Sequence, residues 1–181
     1  ARMLSRQHEA QTQTPQPDAT LFNQSAEAEL RRHAGMRILL VDDVDINREI
    51  AQQMLDGSGL VIDNAADGQA AVDLARIHPY ALILMDLQMP VMDGLEATRC
   101  ILSLPQHAKT PVLAMTANAF DDDRRTCLAA GMVDFIAKPV DPTTLFTTLL
   151  KWLPAPPPHT TLPPAPAPDL PAETVPPAAG T

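Results

Sequence analysis

The chain has 181 residues and a formal net charge of -9, because 22 Asp and Glu outnumber 13 Lys and Arg. No cluster of basic residues is present, which argues against binding of nucleic acid or of an anionic membrane. No apolar stretch approaches the roughly 20 residues that cross a bilayer, and the first residues, ARMLSRQHEA, lack the apolar centre of a secretory signal.

The cysteines and the ends of the chain bear on its cellular setting. Cys100 and Cys127 suit a reducing compartment and form neither a disulfide framework nor a zinc motif. We therefore expect a cytoplasmic segment without membrane contact of its own, which is compatible with a parent chain anchored in the inner membrane. The sequence begins with Ala and ends in PPAAGT, which indicates a piece of a longer protein. Four histidines belong to no motif and are expected at the surface: His33, His78, His107 and His159.

Two flanking segments differ in composition from the centre. Residues 1–35 are polar and are expected to form a linker. One short helix is predicted there over residues 25–35, capped by Ser25 and ended by Gly35. Residues 154–181 contain most of the 19 prolines of the chain. Because proline suits neither a helix nor a sheet interior, this segment is predicted to be an extended proline-rich tail.

Residues 36–153 alternate apolar runs with amphipathic helical patterns. The runs, which we expect to be strands, occupy residues 37–41, 60–65, 81–85, 111–115 and 134–137. The helices between them have candidate N-caps at Asp45, Asp67, Asp93 and Asp141, and candidate ends at Gly57 and Gly131. Strands that alternate with helices in this way predict an α/β fold with a doubly wound, five-stranded parallel sheet and helices on both faces.

Charged and hydroxyl side chains follow the predicted strands. Asp42 and Asp43 follow the first strand, Asp86 the third, Thr116 the fourth and Lys138 the fifth. Parallel α/β sheets bind their ligands beyond the carboxyl ends of the strands, so these groups should converge. Any single aspartate there could be a helix cap, but other residues already serve the helices that follow. Three converging carboxylates repel one another unless a cation is bound, and an oxygen-rich cluster suits Mg²⁺.

The same set of groups favours phosphoryl transfer. A carboxylate can attack phosphorus and become an acyl phosphate. A metal ion and a lysine can neutralise the charge of the group in transfer, while a hydroxyl donates a hydrogen bond to it. On this hypothesis Asp86 is the nucleophile, Thr116 the hydroxyl donor and Lys138 the cation.

Four stretches carry a family resemblance. They are ILLVDDVDINRE, LILMDLQMPVMDGLEATR, PVLAMTANAF and AAGMVDFIAKPVD. Together they resemble the receiver domains of two-component signalling, and more narrowly the receivers of hybrid sensor histidine kinases. The resemblance covers about residues 36–153 and implies a flavodoxin-like receiver fold with strand order 2-1-3-4-5. The flanks would then be a linker over 1–35 and a tail over 154–181.

The resemblance also implies roles for individual residues. Asp86 would be the phosphoacceptor, and the acidic pair Asp42 and Asp43 would complete a Mg²⁺ site with Asp86 and the backbone carbonyl of Gln88. Thr116 and Lys138 would contact the phosphoryl group. Two further features follow from the same family pattern: Phe135 would be the switch aromatic, and the Lys138-Pro139 bond would be cis.

The implied partners are the phosphodonor domain of a histidine kinase, a histidine phosphotransfer domain, or both. The chemistry of the segment would be limited to its own phosphorylation and dephosphorylation. A phosphatase of the haloacid dehalogenase type is the enzymatic alternative, but it needs a second aspartate where Gln88 stands. A flavodoxin-like cofactor binder is disfavoured because Asp42 and Asp43 would repel a phosphate. A degenerate receiver that only docks partners usually lacks the acidic pair or the lysine, and both are present.

Overall fold

The computed structural model describes residues 19–117 and 121–156. The strands are β1 (Arg37–Val41), β2 (Val61–Ala65), β3 (Leu82–Asp86), β4 (Val112–Thr116) and β5 (Asp134–Ala137). The α-helices in this part of the chain are α1 (Ala19–Leu30), α2 (Asp45–Leu55), α3 (Gly68–Ile77), α4 (Gly94–Leu102), α5 (Asp121–Ala130) and α6 (Pro142–Trp152).

The strands form one parallel sheet in the order β2-β1-β3-β4-β5. Every residue of β3 and β4 is buried, which explains why these strands are nearly unbroken apolar runs. Both the predicted doubly wound fold and the strand order implied by the family resemblance are confirmed.

A separate apolar core lies on each face of the sheet, because side chains alternate between the faces along each strand. On one face Leu40 and Leu84 pack with buried residues of α1, α2 and α6. On the other face Val41 and Met85 pack with buried residues of α3, α4 and α5. The strands are thus held on both sides, and their carboxyl ends are fixed in position.

The helix caps follow the sequence in three of four cases. The side chains of Asp67, Asp93 and Asp141 each accept a hydrogen bond from the backbone N–H three residues later. The prediction for Asp45 is wrong: Val44 occupies the N-cap position of α2, and Asp45 is the first helical residue. Gly131 has the expected positive φ of 99°, but after α2 the left-handed residue is Gly59 rather than Gly57.

The helix predicted over residues 25–35 is longer and begins earlier. Because α1 starts at Ala19, Ser25 lies inside the helix and does not cap it. The helix ends at Leu30 and a 3₁₀ turn follows over Arg31–His33. Gly35 then takes a positive φ of 84°, as a chain-reversing glycine should.

Two histidines contradict the prediction of a surface position. His33 and His107 are both buried. The Nε2 atom of His107 lies 2.9 Å from the carbonyl oxygen of Ala75 and 3.1 Å from that of His78, and its Nδ1 atom lies 3.1 Å from the hydroxyl of Thr110. The buried ring therefore links the end of α3 to the turn before β4 through hydrogen bonds.

Among the helices of the described residues, none has the length and apolarity needed to cross a bilayer. The proline-rich tail falls mainly on residues 157–181, which lie outside the described part of the chain.

Candidate functional site

The carboxyl ends of four adjacent strands bring the predicted site residues together. Asp42 follows β1, Asp86 and Thr116 are the last residues of β3 and β4, and Lys138 follows β5. Backbone hydrogen bonds hold these ends, for example from the N–H of Lys138 to the carbonyl of Thr116 at 2.8 Å. The predicted convergence at this edge is therefore present.

Lys138 bridges two of the carboxylates. Its Nζ atom lies 2.7 Å from Oδ2 of Asp42 and 2.7 Å from Oδ2 of Asp86. Asp42 is 1% exposed and Asp86 5% exposed, so both carboxylates depend on partners within the protein. The peptide bond that follows, Lys138-Pro139, is cis, as the family resemblance implied.

The pKa values of Asp86 and Lys138 are both raised, but for different reasons. Burial raises the pKa of Asp86, and the negative charge of Asp42 adds to that rise, while hydrogen bonds from Lys138 and from the backbone of Gln88 lower it. Burial would by itself lower the pKa of Lys138, but its hydrogen bonds to Asp42 and Asp86 raise it overall. The lysine is thus held in its charged form by the two carboxylates.

Asp42 is the most fully bonded of the carboxylates. Its Oδ1 accepts from the N–H of Val44 at 2.9 Å and from the side-chain amide of Asn47 at 3.1 Å. Its Oδ2 accepts from Lys138 and, at 3.3 Å, from the same amide. This carboxylate therefore fixes the turn into α2 as well as the position of Lys138.

Asp42, Asp43 and Asp86 form an acidic cluster. One oxygen from each of them lies within 4.8 Å of the others. Asp43 is exposed, and its carboxylate makes no hydrogen bond or ion pair within the described part of the chain. Three carboxylates therefore face a single ammonium group, which leaves excess negative charge at an open site. Oxygen ligands with this charge fit a hard divalent cation such as Mg²⁺.

An open cleft of about 520 Å³ adjoins this cluster. It is lined by Asp43, by residues of the turn between β3 and α4, and by Thr116 and Ala117. Gln88 lies in that turn, and its N–H donates to Oδ1 of Asp86 at 3.2 Å. The cleft is large enough for a small anionic group and for part of an approaching partner.

The turn between β3 and α4 is held tightly at both ends. A Cβ atom at Gly94 would overlap the carbonyl oxygen of Asp86, and one at Gly68 would come within 2.5 Å of the carbonyl oxygen of Met92. Between these anchors the N–H of Met92 donates to the carbonyl of Pro90 at 2.9 Å, which closes a γ-turn around Val91 with a φ of 71°. Val91 itself is 86% exposed.

Phe135 lies at a distance from this cleft in the fold. It pairs in register with Ala114, whereas Thr116 pairs with Ala137, so Phe135 is set back by two residues from the strand ends. Its ring is half-buried, with the guanidinium carbon of Arg124 5.4 Å from the ring centroid. It does not line the cleft, and within the described residues it borders a smaller cavity between α5 and β5.

Three residues of the site were not predicted. Asn47 binds Asp42, and Thr126 and Cys127 of α5 line the cleft beside Thr116. A signal existed for Asn47, because an amide in the first turn after a paired aspartate can reach back to it. No pattern in the sequence distinguishes the inward-facing residues of α5, since the helix is highly charged at its start.

Comparisons with known proteins agree with this geometry. Residues 38–150 match the model of the response regulator receiver domain family. The chain is 38% identical over 119 residues to the signal transduction histidine-protein kinase BarA of Escherichia coli K12, which is 66% of this chain and 13% of that protein. The chain thus spans about an eighth of the length of this curated relative.

Two solved structures resemble the fold closely. One is the receiver domain of the sensor histidine kinase PA1611 of Pseudomonas aeruginosa, with a magnesium ion coordinated in its active-site cleft. It is 42% identical to this chain, with a TM-score of 0.62, and the match covers 66% of this chain and 98% of that one. The other is the receiver domain of Ssk1 from Saccharomyces cerevisiae, in complex with the histidine phosphotransfer protein Ypd1: 28% identity, TM-score 0.62, covering 66% and 90%. The chain belongs to the response regulator receiver domain family and contains a receiver domain of a two-component phosphorelay.

Proposed function

We propose that Asp86 is the phosphoacceptor of this receiver. The supporting observation is its position: a carboxylate at the end of a fully buried strand, beside an open cleft and 2.7 Å from a lysine ammonium. In the proposed reaction an oxygen of Asp86 attacks the phosphorus of a phosphohistidine. The P–N bond breaks, its electron pair stays on the imidazole nitrogen, and that nitrogen takes up a proton.

Lys138 and Thr116 act on the transferred group. Lys138 is already charged and directed at Asp86, so it is placed to neutralise the charge of phosphoryl oxygens on that residue. Thr116 ends the neighbouring strand and lines the cleft, so its hydroxyl can donate to a phosphoryl oxygen. Phe135, on the next strand, is proposed to change its packing when Thr116 turns toward that oxygen.

The acidic cluster is the proposed Mg²⁺ site. Asp43, Asp86 and the backbone carbonyl of Gln88 would bind the ion, and Asp42 would complete the acidic pair. When bound, the ion supplies positive charge for the oxygens of the transferred group. The main support for a metal site in this chain is Asp43, because it is an exposed carboxylate without a bond to the described residues.

The proposed organisation places the receiver module over residues 36–153 and a tail over 154–181. The linker over 1–35 includes α1, which packs on the core of the module. We infer that the parent chain is a hybrid histidine kinase, because the chain is similar to a short part of a histidine-protein kinase of Escherichia coli and of a hybrid histidine kinase of Dictyostelium discoideum. The donor would be a kinase phosphodonor domain or a histidine phosphotransfer domain. The complex of the related Ssk1 receiver with Ypd1 supports the second of these.

The test is labelling with acetyl phosphate and Mg²⁺, followed by intact mass measurement. Wild type should gain one phosphoryl group, and Asp86→Asn should gain none. Asp63→Asn is the matched control, because Asp63 is also a strand aspartate bonded to a cation, Arg37, but lies away from the cleft. Labelling that persists in Asp86→Asn would contradict the assignment.

The metal site needs its own measurement. Asp43→Ala should lose Mg²⁺ binding, observed by titration calorimetry, and should lose labelling while it keeps the circular dichroism spectrum of wild type. Asp45→Ala, two residues along and also exposed, is the control and should bind Mg²⁺ almost as wild type does. Equal Mg²⁺ affinity in wild type and Asp43→Ala would refute the proposed ligand set.

A further inference from the structure

Helix α1 is an addition to the matched family fold. The family match begins at residue 38, whereas α1 spans Ala19–Leu30. Even so, Ala26 and Leu30 are buried in the same apolar core as residues of β1, α2 and α6. A segment that reads as a polar linker in the sequence is therefore packed as part of the domain.

The direction of α1 is fixed by contacts near both of its ends. Near its start, Oδ1 of Asn23 accepts from the hydroxyl of Thr143 in the first turn of α6, at 2.8 Å. Just past its end, Nε of Arg31 donates to the carbonyl of Gly57 at 2.9 Å, close to the point where β2 begins. Because α6 starts at the carboxyl edge of the sheet, α1 runs parallel to α6, and the chain enters α1 at the edge that holds Asp86.

The contact between Asn23 and Thr143 is close in sequence to Lys138. The segment from Lys138 to Thr143 is short, and Val140 within it packs against the core that holds Ala26 and Leu30. Its first residue, Lys138, is held between Asp42 and Asp86. Only five peptide bonds therefore separate Lys138 from Thr143 in the first turn of α6.

We propose that α1 is a linker helix whose docking on α6 depends on the phosphorylation state of Asp86. This inference rests on the proposed function of Asp86. In the structure the ammonium of Lys138 is drawn to the carboxylate at the end of β3. The oxygens of a phosphoryl group on Asp86 lie further out, so Lys138 and the segment behind it move outward to bind them. The first turn of α6 then shifts away from Asn23, and the start of α1 is released.

Coupling of this kind is reciprocal. If phosphorylation weakens the docking of α1 by a given factor, a weakened α1 must favour the phosphorylated conformation by the same factor. The phosphorylation state of Asp86 would thereby act on the part of the chain that precedes α1. Allosteric coupling in proteins is typically of the order of 5–150-fold, so we expect about a fivefold change or more.

The test is hydrogen exchange on the full 181-residue chain with Mg²⁺, with and without beryllofluoride, which mimics a phosphoryl group on an aspartate. Amides of residues 23–30 should exchange about fivefold faster with the mimic. Amides of α3, on the other face of the sheet, should be unchanged. Asp86→Asn should show no response to the mimic.

A pair of variants tests whether weaker docking of α1 favours the phosphorylated conformation. Thr143→Val keeps the shape of the side chain but removes the hydroxyl that binds Asn23, so α1 should exchange faster without the mimic, and beryllofluoride should bind more tightly. Thr147→Val is the control, because among the described residues the hydroxyl of Thr147 bonds only the carbonyl of Thr143 in its own helix, at 2.7 Å. It should behave as wild type does.

The outcomes separate this inference from the proposed function. If residues 138–141 respond to the mimic while α1 exchanges at an unchanged or a slower rate, the inference is overturned and Asp86 remains the phosphoacceptor. If no segment responds and acetyl phosphate fails to label Asp86, the proposed function fails and the inference fails with it. Identical mimic affinity in Thr143→Val and Thr147→Val would also overturn the coupling.

Discussion

Replacement of Lys138 by methionine tests whether one ammonium group stabilises the acidic cluster. Methionine keeps an apolar stem of similar length and removes the charge. In the structure that charge lies 2.7 Å from Asp42 and 2.7 Å from Asp86, and both carboxylates are almost fully buried. Removal therefore leaves two buried carboxylates near each other without a cation.

Two costs bound the loss of folding free energy in Lys138→Met. Removal of one member of a buried ion pair typically costs about 3–5 kcal/mol. The variant can also neutralise one carboxyl, which at pH 7 costs about 4 kcal/mol for a group with an ordinary pKa near 4. Because the side chain of Lys138 is 19% exposed and the site opens to the cleft, we expect the lower end of this range, about 3 kcal/mol.

The pH dependence has a definite sign. Burial already raises the pKa of Asp86, and loss of Lys138 removes an interaction that lowers it. A carboxyl with a raised pKa in the folded state destabilises the fold only where it is charged. The cost of Lys138→Met should therefore be full at pH 7 and should decrease as the pH falls toward about 4, the pKa of an unfolded aspartate.

The assay is thermal and urea unfolding in EDTA at pH 4 and pH 7. At pH 7, Lys138→Met should lower the melting temperature by roughly 10 °C. Lys151→Met is the matched control, because Lys151 lies the same 2.7 Å from Asp134 but is 61% exposed. It should lose less than about 1 kcal/mol. The reasoning fails if the two variants lose equal stability, or if the loss in Lys138→Met is the same at both pH values.

Three further substitutions are tested by urea unfolding. Two lie in or at the end of the turn between β3 and α4, and the third removes a hydrogen bond to β2. Val91→Gly should stabilise the fold by about 1 kcal/mol, because the positive φ of 71° is strained for valine; no gain would refute the strain. Gly94→Ala should cost about 2 kcal/mol or more, since the new Cβ overlaps the carbonyl of Asp86; a neutral effect would show that the turn can shift. Tyr80→Phe removes a 2.7 Å hydrogen bond to Asp63. Burial raises the pKa of Asp63, but its hydrogen bonds from Tyr80 and Arg37 lower it overall. The loss, about 1.5 kcal/mol, should be present at pH 7 and should vanish as the pH falls through the lowered pKa of Asp63; a loss unchanged at pH 3 would contradict this reading.

Burial patterns explain why the strands could be predicted to within a residue. The apolar runs end where side chains become polar, but backbone pairing continues further, because Asp86 pairs with Met115 and Thr116 with Ala137. The predicted strands therefore stopped one residue early at β3 and β4. At the other end of β4 the prediction began with Pro111, whereas the strand begins at Val112. A side-chain pattern alone cannot show how far a backbone ladder extends.

The residues of the site that the sequence revealed are those whose position is fixed by topology. Asp86, Thr116 and Lys138 each stand at the end of a strand, and parallel strands must bring their ends together. Asn47 and Cys127 are placed by the rotation of a helix about its own axis, which small shifts in the helix start can change. The sequence therefore predicts which edge of the sheet carries the site better than it predicts which helix residues line it.

Helix α1 and His107 show a second limit, since their roles depend on partners distant in sequence. Ala26 and Leu30 are too few to mark an amphipathic helix, and the core that they join is formed by α2 and α6. The ring of His107 is buried because carbonyls of Ala75 and His78 meet it across about thirty residues of chain. In both cases a polar context in the sequence indicated exposure. Burial arose because the folded domain supplied the apolar surface in one case and the hydrogen-bond acceptors in the other.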